Sequence, residues 1–165
     1  MEVAVLVGNP KPHSKTYEAS VLLAKKLTGT APTVVIDVIE FGADLLNFGS
    51  ERVAESIRTL RRFPVVIVSS PTFKATYTGV LKLYLDQIPS NGLSGTIALP
   101  LMLGAGPSHA LAADLLLKPV LVELGAICPV QGLYLLDSTF MSDPRLDEWI
   151  CKTKSVLDAY LLGKK

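Results

Sequence analysis

Five stretches of the chain are apolar and rich in β-branched residues: 3–7, 33–38, 65–70, 97–103 and, more weakly, 131–137. Four are continuously apolar rather than alternating. A strand that buries one face alternates, whereas a strand covered on both faces has no need to. The runs therefore predict strands of a parallel sheet with helices on both sides. Between them, apolar positions recur every three or four residues. Tyr17, Val21, Ala24 and Leu27 share a face in 14–28. Val53, Ile57 and Leu60 do so in 51–62, whose other side carries Arg58, Arg61 and Arg62. Val80, Leu81, Tyr84, Leu85 and Ile88 do so in 78–88, ahead of Pro89. The last helix is the most regular. Asp143 suits its cap and Pro144 its first turn, and Leu146, Trp149, Ile150, Thr153, Val156, Leu157, Tyr160 and Leu161 form its stripe.

Strand and helix alternate along the whole chain. With right-handed crossovers this predicts a three-layer α/β fold. The expected sheet is parallel and five-stranded, in the flavodoxin-like order 2-1-3-4-5, as one domain over residues 1–165. One helix departs from the pattern. From Pro107 to Leu124, the residues Leu111, Leu115, Leu116, Leu117, Val120, Leu121, Val122 and Leu124 wrap most of the circumference. A surface helix rests only one side on the sheet. The remaining apolar side predicts a homo-oligomer contact, a dimer or tetramer.

Composition narrows the class. Of 165 residues, 49% are apolar, which excludes bulk disorder. Sixteen basic residues against fifteen acidic leave a net charge of +1, so there is no broad footprint for nucleic acid or an anionic membrane. No run approaches the roughly 18 apolar residues of a membrane span. The apolar stretch near Met1 is too short for a signal h-region and has no basic segment before it. Two cysteines, Cys128 and Cys151, make neither a disulfide framework nor a metal cluster. The expected setting is the cytoplasm, with no metal.

In open α/β sheets, ligands bind outside the carboxyl ends of the strands. The loop after the first strand reads Gly8-Asn9-Pro10-Lys11-Pro12-His13-Ser14-Lys15-Thr16. A helix start there, with two hydroxyls and two lysines, suits a phosphate. It equally suits a plain cap by Ser14 with solvated lysines. The loop after the third strand carries Pro71, Thr72, Phe73, Lys74 and Tyr77, which suit either a planar heterocycle or an aromatic plug. The loop after the fourth strand, Gly104-Ala105-Gly106, allows close backbone approach, and His109 follows it without a catalytic partner. Asp86, Asp114 and Asp137 read as structural or solvated.

Taken together, these loops carry a resemblance. Its parts are Gly8-Asn9-Pro10-Lys11-x-x-Ser14-Lys15-Thr16, the run from Ser70 to Lys82, Leu99-Pro100-Leu101-x-x-Gly104, and His109-Ala110-Leu111-x-x-Asp114-x-x-Leu117-Lys118-Pro119-Val120-Leu121. They resemble the NAD(P)H-dependent FMN reductase family, and within it the small reductases of two-component alkanesulfonate monooxygenase systems. The resemblance implies FMN and NADPH or NADH as cofactors. It implies that Asn9, Lys11, Ser14, Lys15 and Thr16 hold the FMN phosphate. Pro71, Thr72, Phe73 and Lys74 would border the isoalloxazine, with Gly104, Ala105 and Gly106 on its other side. Lys11 stands where the family commonly has Arg, and Asn9 where Ser is commoner. The implied reaction passes a hydride from nicotinamide to flavin N5 and needs no side-chain acid or base, so no catalytic residue is assigned. Reduced flavin would go to a separate monooxygenase. The alternatives are an FMN-bound quinone, azo or nitro reductase, or a non-catalytic flavodoxin-like electron carrier. Lys15, Lys74 and Arg145 are the candidates for contact with a 2′-phosphate.

Overall fold

The computed structural model describes residues 1–162, with side chains as far as Tyr160. Its sheet is parallel and five-stranded: β1 Val3–Val7, β2 Val34–Asp37, β3 Val65–Pro71, β4 Ile97–Gly104 and β5 Leu133–Leu136. The order is β2-β1-β3-β4-β5, as the alternation of elements predicts. Val5 lies beside Val35 and Ile67, Ile67 beside Leu99, and Leu101 beside Leu133.

Both faces are covered. On one, Leu23 and Leu27 of α1 (Lys15–Thr28) and Leu146, Ile150 and Leu157 of α5 (Pro144–Leu162) share a core with Val5, Ile67 and Leu99. On the other, Ile57 of α2 (Glu51–Leu60), Leu81 of α3 (Gly79–Leu85) and Leu121 of α4 (Lys118–Glu123) meet Leu6, Val68 and Met102. Successive strand residues point to opposite cores, and every residue of β1 and β4 is buried. Continuous apolar runs are the consequence. The α5 stripe is buried or half-buried from Leu146 to Tyr160, and Asp143 caps it by accepting from the Arg145 N–H at 3.0 Å. The side chain of Leu161 lies outside the described residues.

Three local features differ from the pattern. The buried face of α1 is Thr16, Ala19, Ser20, Leu23, Ala24 and Leu27, with Tyr17 and Val21 only half-buried. Small residues let α1 sit close to the sheet: the Ser20 hydroxyl donates to Ser69 Oγ on β3 at 2.7 Å. Residues Val38–Leu46 form a 3-10 stretch broken at Gly42, which has φ 54°, and no 3.6-residue period marks it.

The third difference is that the stretch from Pro107 to Leu124 is not one helix. It consists of a 3-10 turn at Pro107–His109, a π turn at Ala113–Leu117, and the short α4. Pro119 explains the break. It has no N–H to donate and its ring crowds the preceding turn. The chain widens just before it, and the Lys118 N–H reaches the Ala113 carbonyl five residues back. Leu117 and Leu121 are buried, whereas Leu111, Leu115, Leu116 and Val122 are exposed, Leu115 by 64%.

Candidate active site

The carboxyl ends of β1, β3 and β4 open on one cavity of about 620 Å³. Ten of the twelve expected residues line it: Asn9, Lys11, Ser14, Lys15, Thr16, Pro71, Thr72, Phe73, Gly104 and Ala105. Lys74 and Gly106 do not. Pro10, His13, Glu18, Leu103 and Asp137 line it as well. Asp137, read from the sequence as structural or solvated, therefore borders the cavity. Its place at the end of the last apolar run, beside Gly104 (Asp137 N–H to Gly104 O, 3.0 Å), was the available signal.

The loop after β1 is tied together by its own side chains. The Asn9 amide donates to Thr16 Oγ1 at 3.0 Å, and Asn9 Oδ1 accepts from the Lys11 N–H at 2.9 Å. Ser14 caps α1 by accepting from the Tyr17 N–H at 3.3 Å. The first N–H groups of a helix have no intrahelical acceptor. With Tyr17 satisfied by the cap, those of Lys15 and Thr16 remain for a ligand. The positive end of the α1 dipole, Lys11 and Lys15 favour an anion there. Glu18 and Asp137 set negative charge at other points of the rim.

Gly8 lets the next loop close. A Cβ there would lie 2.3 Å from Cβ of Leu81. The Gly8 carbonyl accepts from Thr78 Oγ1 at 2.7 Å, and Ser70 Oγ accepts from the Thr78 N–H at 3.0 Å. The loops after β1 and β3 are thus pinned to one point. Beyond Pro71, Phe73 and Thr76 bond each other both ways through their backbones, at 2.8 and 3.2 Å. Lys74 and Ala75 between them have φ of 51° and 69°. This is a type I′ geometry without the usual Asn or Gly. That turn takes Lys74 off the cavity wall. Phe73 stays on the wall and is 51% exposed.

Gly104 has no room for a side chain: a Cβ would lie 1.9 Å from the Tyr134 hydroxyl, which donates to the Gly106 carbonyl at 2.8 Å. Gly106 therefore serves as the anchor of the loop rather than as its lining. Near Gly104, Thr72 Oγ1 is buried and has no partner within the described residues. A buried hydroxyl without a partner is costly, and a ligand in the cavity would supply one. Free helix N–H groups at one end, a close backbone wall and an orphaned hydroxyl fit FMN.

The other expected polar residues lie elsewhere. Arg145 pairs with Asp143, holding that carboxyl below its ordinary range, and lines a separate cavity of about 360 Å³ beside α5. It does not line the cavity at the carboxyl ends of β1, β3 and β4. Asp114 accepts from the Gly132 N–H at 2.8 Å, Asp86 pairs with Lys82, and His109 is exposed on a third cavity. Among the described residues no cluster of His, Cys, Asp and Glu could hold a metal, and no helix is long and apolar enough to cross a membrane.

The family model of the NADPH-dependent FMN reductases matches residues 1–140. FMN reductase (NADPH) of Escherichia coli strain K12 is 33% identical over 148 residues, 84% of this chain and 74% of that one. The apo crystal structure of the NADH:FMN oxidoreductase EMOB superposes with a TM-score of 0.83 at 27% identity, covering 98% of this chain and 89% of that chain. Oxidised flavodoxin 2 from Bacillus cereus has a TM-score of 0.65 at 13% identity, over 97% of this chain and 99% of its own, and shares the fold. With its motifs gathered on one cavity and the family model spanning most of its length, the chain belongs to the NADPH-dependent FMN reductase family.

Proposed function

We propose that this chain, acting as one unit over residues 1–165, reduces FMN with NADPH or NADH in the cavity at the carboxyl ends of β1, β3 and β4. The convergence of three loops on that cavity carries the reading. The α1 N-terminus, Asn9, Lys11, Ser14, Lys15 and Thr16 hold the phosphate. Pro71, Thr72 and Phe73 border one side of the ring system, and Gly104 and Ala105 the other. Bound flavin supplies the hydride-accepting centre. The protein supplies orientation, and the exposed Phe73 on the cavity wall offers a face for a nicotinamide to pack against. No side-chain acid or base is needed. Thr72 Oγ1 and nearby backbone groups give polar contacts at the ring edge.

The consumer of the product is a separate flavin-dependent monooxygenase, and the setting is cytoplasmic. Cys128 and Cys151 are both free, which suits a reducing compartment. The exposed Leu111, Leu115, Leu116 and Val122 support self-association through the stretch after β4. Light scattering of the purified chain checks this: assembly that Leu115→Asp disrupts is expected, and a monomeric unaltered chain contradicts it. The site is tested by titrating the chain with FMN in the visible range. A saturable spectral shift is expected, weakened by Thr72→Val. No shift at high micromolar FMN overturns the assignment.

A further inference from the structure

Asp37 ends β2, outside the cavity, and makes a contact that reaches the cavity through the backbone. Its Oδ2 accepts from the His13 N–H at 3.2 Å, across 24 positions of sequence. His13 has φ 48°, a left-handed conformation that a non-glycine residue rarely adopts. It immediately precedes Ser14, the cap of α1. The chain reverses at His13 so that Ser14, Lys15 and Thr16 meet the cavity. Asn9, Lys11 and Ser14 hold the remainder of the loop from within, but no bond inside the loop fixes the His13 turn. The His13 ring makes an edge contact with the Tyr17 ring, with centroids 5.3 Å apart.

Asp37 is 3% exposed, and its Oδ1 is buried without a partner within the described residues. A carboxylate kept in such a place, with one oxygen unsatisfied, costs stability. Two backbone N–H groups favour the carboxylate, that of His13 foremost and that of Ile39 two residues on, and only the His13 contact reaches the loop after β1. The cost is met where the phosphate end of the site is shaped, as strain and unsatisfied groups often are at functional sites.

We infer that Asp37 is a positioning residue for the phosphate end of the site: by holding His13 left-handed, it presents the α1 N-terminus to the FMN phosphate and sets the preference for FMN over riboflavin. This rests on the assignment of that end of the cavity to the phosphate. Riboflavin carries the same ring system without the phosphate, so it reports on the rest of the site and on general integrity.

The experiment compares dissociation constants for FMN and riboflavin by quenching of flavin fluorescence, with far-UV circular dichroism on every variant. Asp37→Ala is expected to weaken FMN at least tenfold and riboflavin less than threefold. Asp37→Asn, which keeps an acceptor, is expected to stay within threefold of the unaltered chain for both. His13→Pro breaks the same contact from an exposed loop, because it removes the N–H and forbids positive φ. It is expected to reproduce the FMN-selective loss even where Asp37→Ala fails to fold. His13→Ala keeps the N–H and is expected to lose less than threefold. Equal losses for the two flavins, or FMN binding untouched by both Asp37→Ala and His13→Pro, would overturn the inference. A loss in His13→Ala as large as in His13→Pro would also overturn it. An unaltered chain that binds riboflavin as tightly as FMN removes the phosphate assignment, and this inference with it.

Discussion

The loops after β1 and β3 face one cavity but are held in different ways. The first is fastened by side chains: Asn9 to Thr16 and Lys11, Ser14 to Tyr17. Its strained residue, His13, is held from another strand. The second is fastened by backbone: a tight turn in which Lys74 and Ala75 are both left-handed and no side chain of the turn is needed. The first arrangement leaves helix N–H groups and two lysines on the cavity wall. The second leaves a flat aromatic, Phe73, and an unpartnered hydroxyl, Thr72 Oγ1, beside a wall of glycine. The comparison teaches that one cavity has an electrostatic end and a shape-selecting end, and that they respond to different perturbations.

The glycine wall at the end of β4 gives the largest effect. Gly104→Ala forces a Cβ onto the Tyr134 hydroxyl. Overpacking of this kind costs about 1–3 kcal/mol, seen as a lower melting temperature. The displaced wall is expected to weaken FMN and riboflavin alike, by at least tenfold. Next, Lys11→Ala with Lys15→Ala acts on the electrostatic end alone. Two charges near a helix N-terminus together supply roughly 1–2 kcal/mol, about a tenfold change in FMN affinity. Riboflavin is expected to be unaffected, and the deficit to shrink in high salt. Equal losses for both flavins would erase the distinction between the two ends.

Stability measurements sharpen the same contrast. Ala75→Gly removes the Cβ from a left-handed residue, with an expected gain of about 0.5–1 kcal/mol in urea unfolding. A loss there would mean that the Ala75 methyl is held by packing. The smallest effect concerns Asp37 and has a definite sign. Burial, reinforced by Glu40 and opposed by the N–H groups of His13 and Ile39, holds its carboxyl above the usual carboxylate range. With the folded value raised, the stability due to this group is fully present below the ordinary value of about 3.9. It is lost as pH rises through the folded value. Asp37→Asn is therefore expected to be more stabilising, relative to the unaltered chain, at pH 7 than at pH 4. The opposite trend in urea midpoints would show that the ionised form is the favoured one.

Much of this was legible in the chain. Continuous apolar runs marked strands buried on both faces, and the order of elements gave the sheet. The α5 stripe needed only its period, because a long helix on one face obeys a single periodicity. The first loop was legible because capping chemistry is local: Ser14, Lys15 and Thr16 stand where a helix must start. What escaped depended on distance or on small side chains. The close approach of α1 rests on Ala19 and Ser20, which hydrophobic patterns overlook. The contact between Asp37 and His13 joins two strands' ends and leaves no local trace. The turn that takes Lys74 off the wall lacks the Asn-Gly signature that announces such turns. The π turn ahead of Pro119 was hidden by leucines that fit a regular helix on paper, although the proline itself was the warning.

The most direct test is anaerobic. The purified chain is mixed with a twentyfold excess of FMN and then with NADPH or, separately, NADH, while flavin absorbance is followed. Complete bleaching of the FMN, many equivalents per chain, at a rate proportional to chain concentration, is the predicted result with at least one nucleotide. Its rate at subsaturating FMN is to fall at least severalfold in Gly104→Ala. Flavin that stays oxidised with both nucleotides, in a chain shown to be folded, would contradict the assignment of this cavity to FMN reduction.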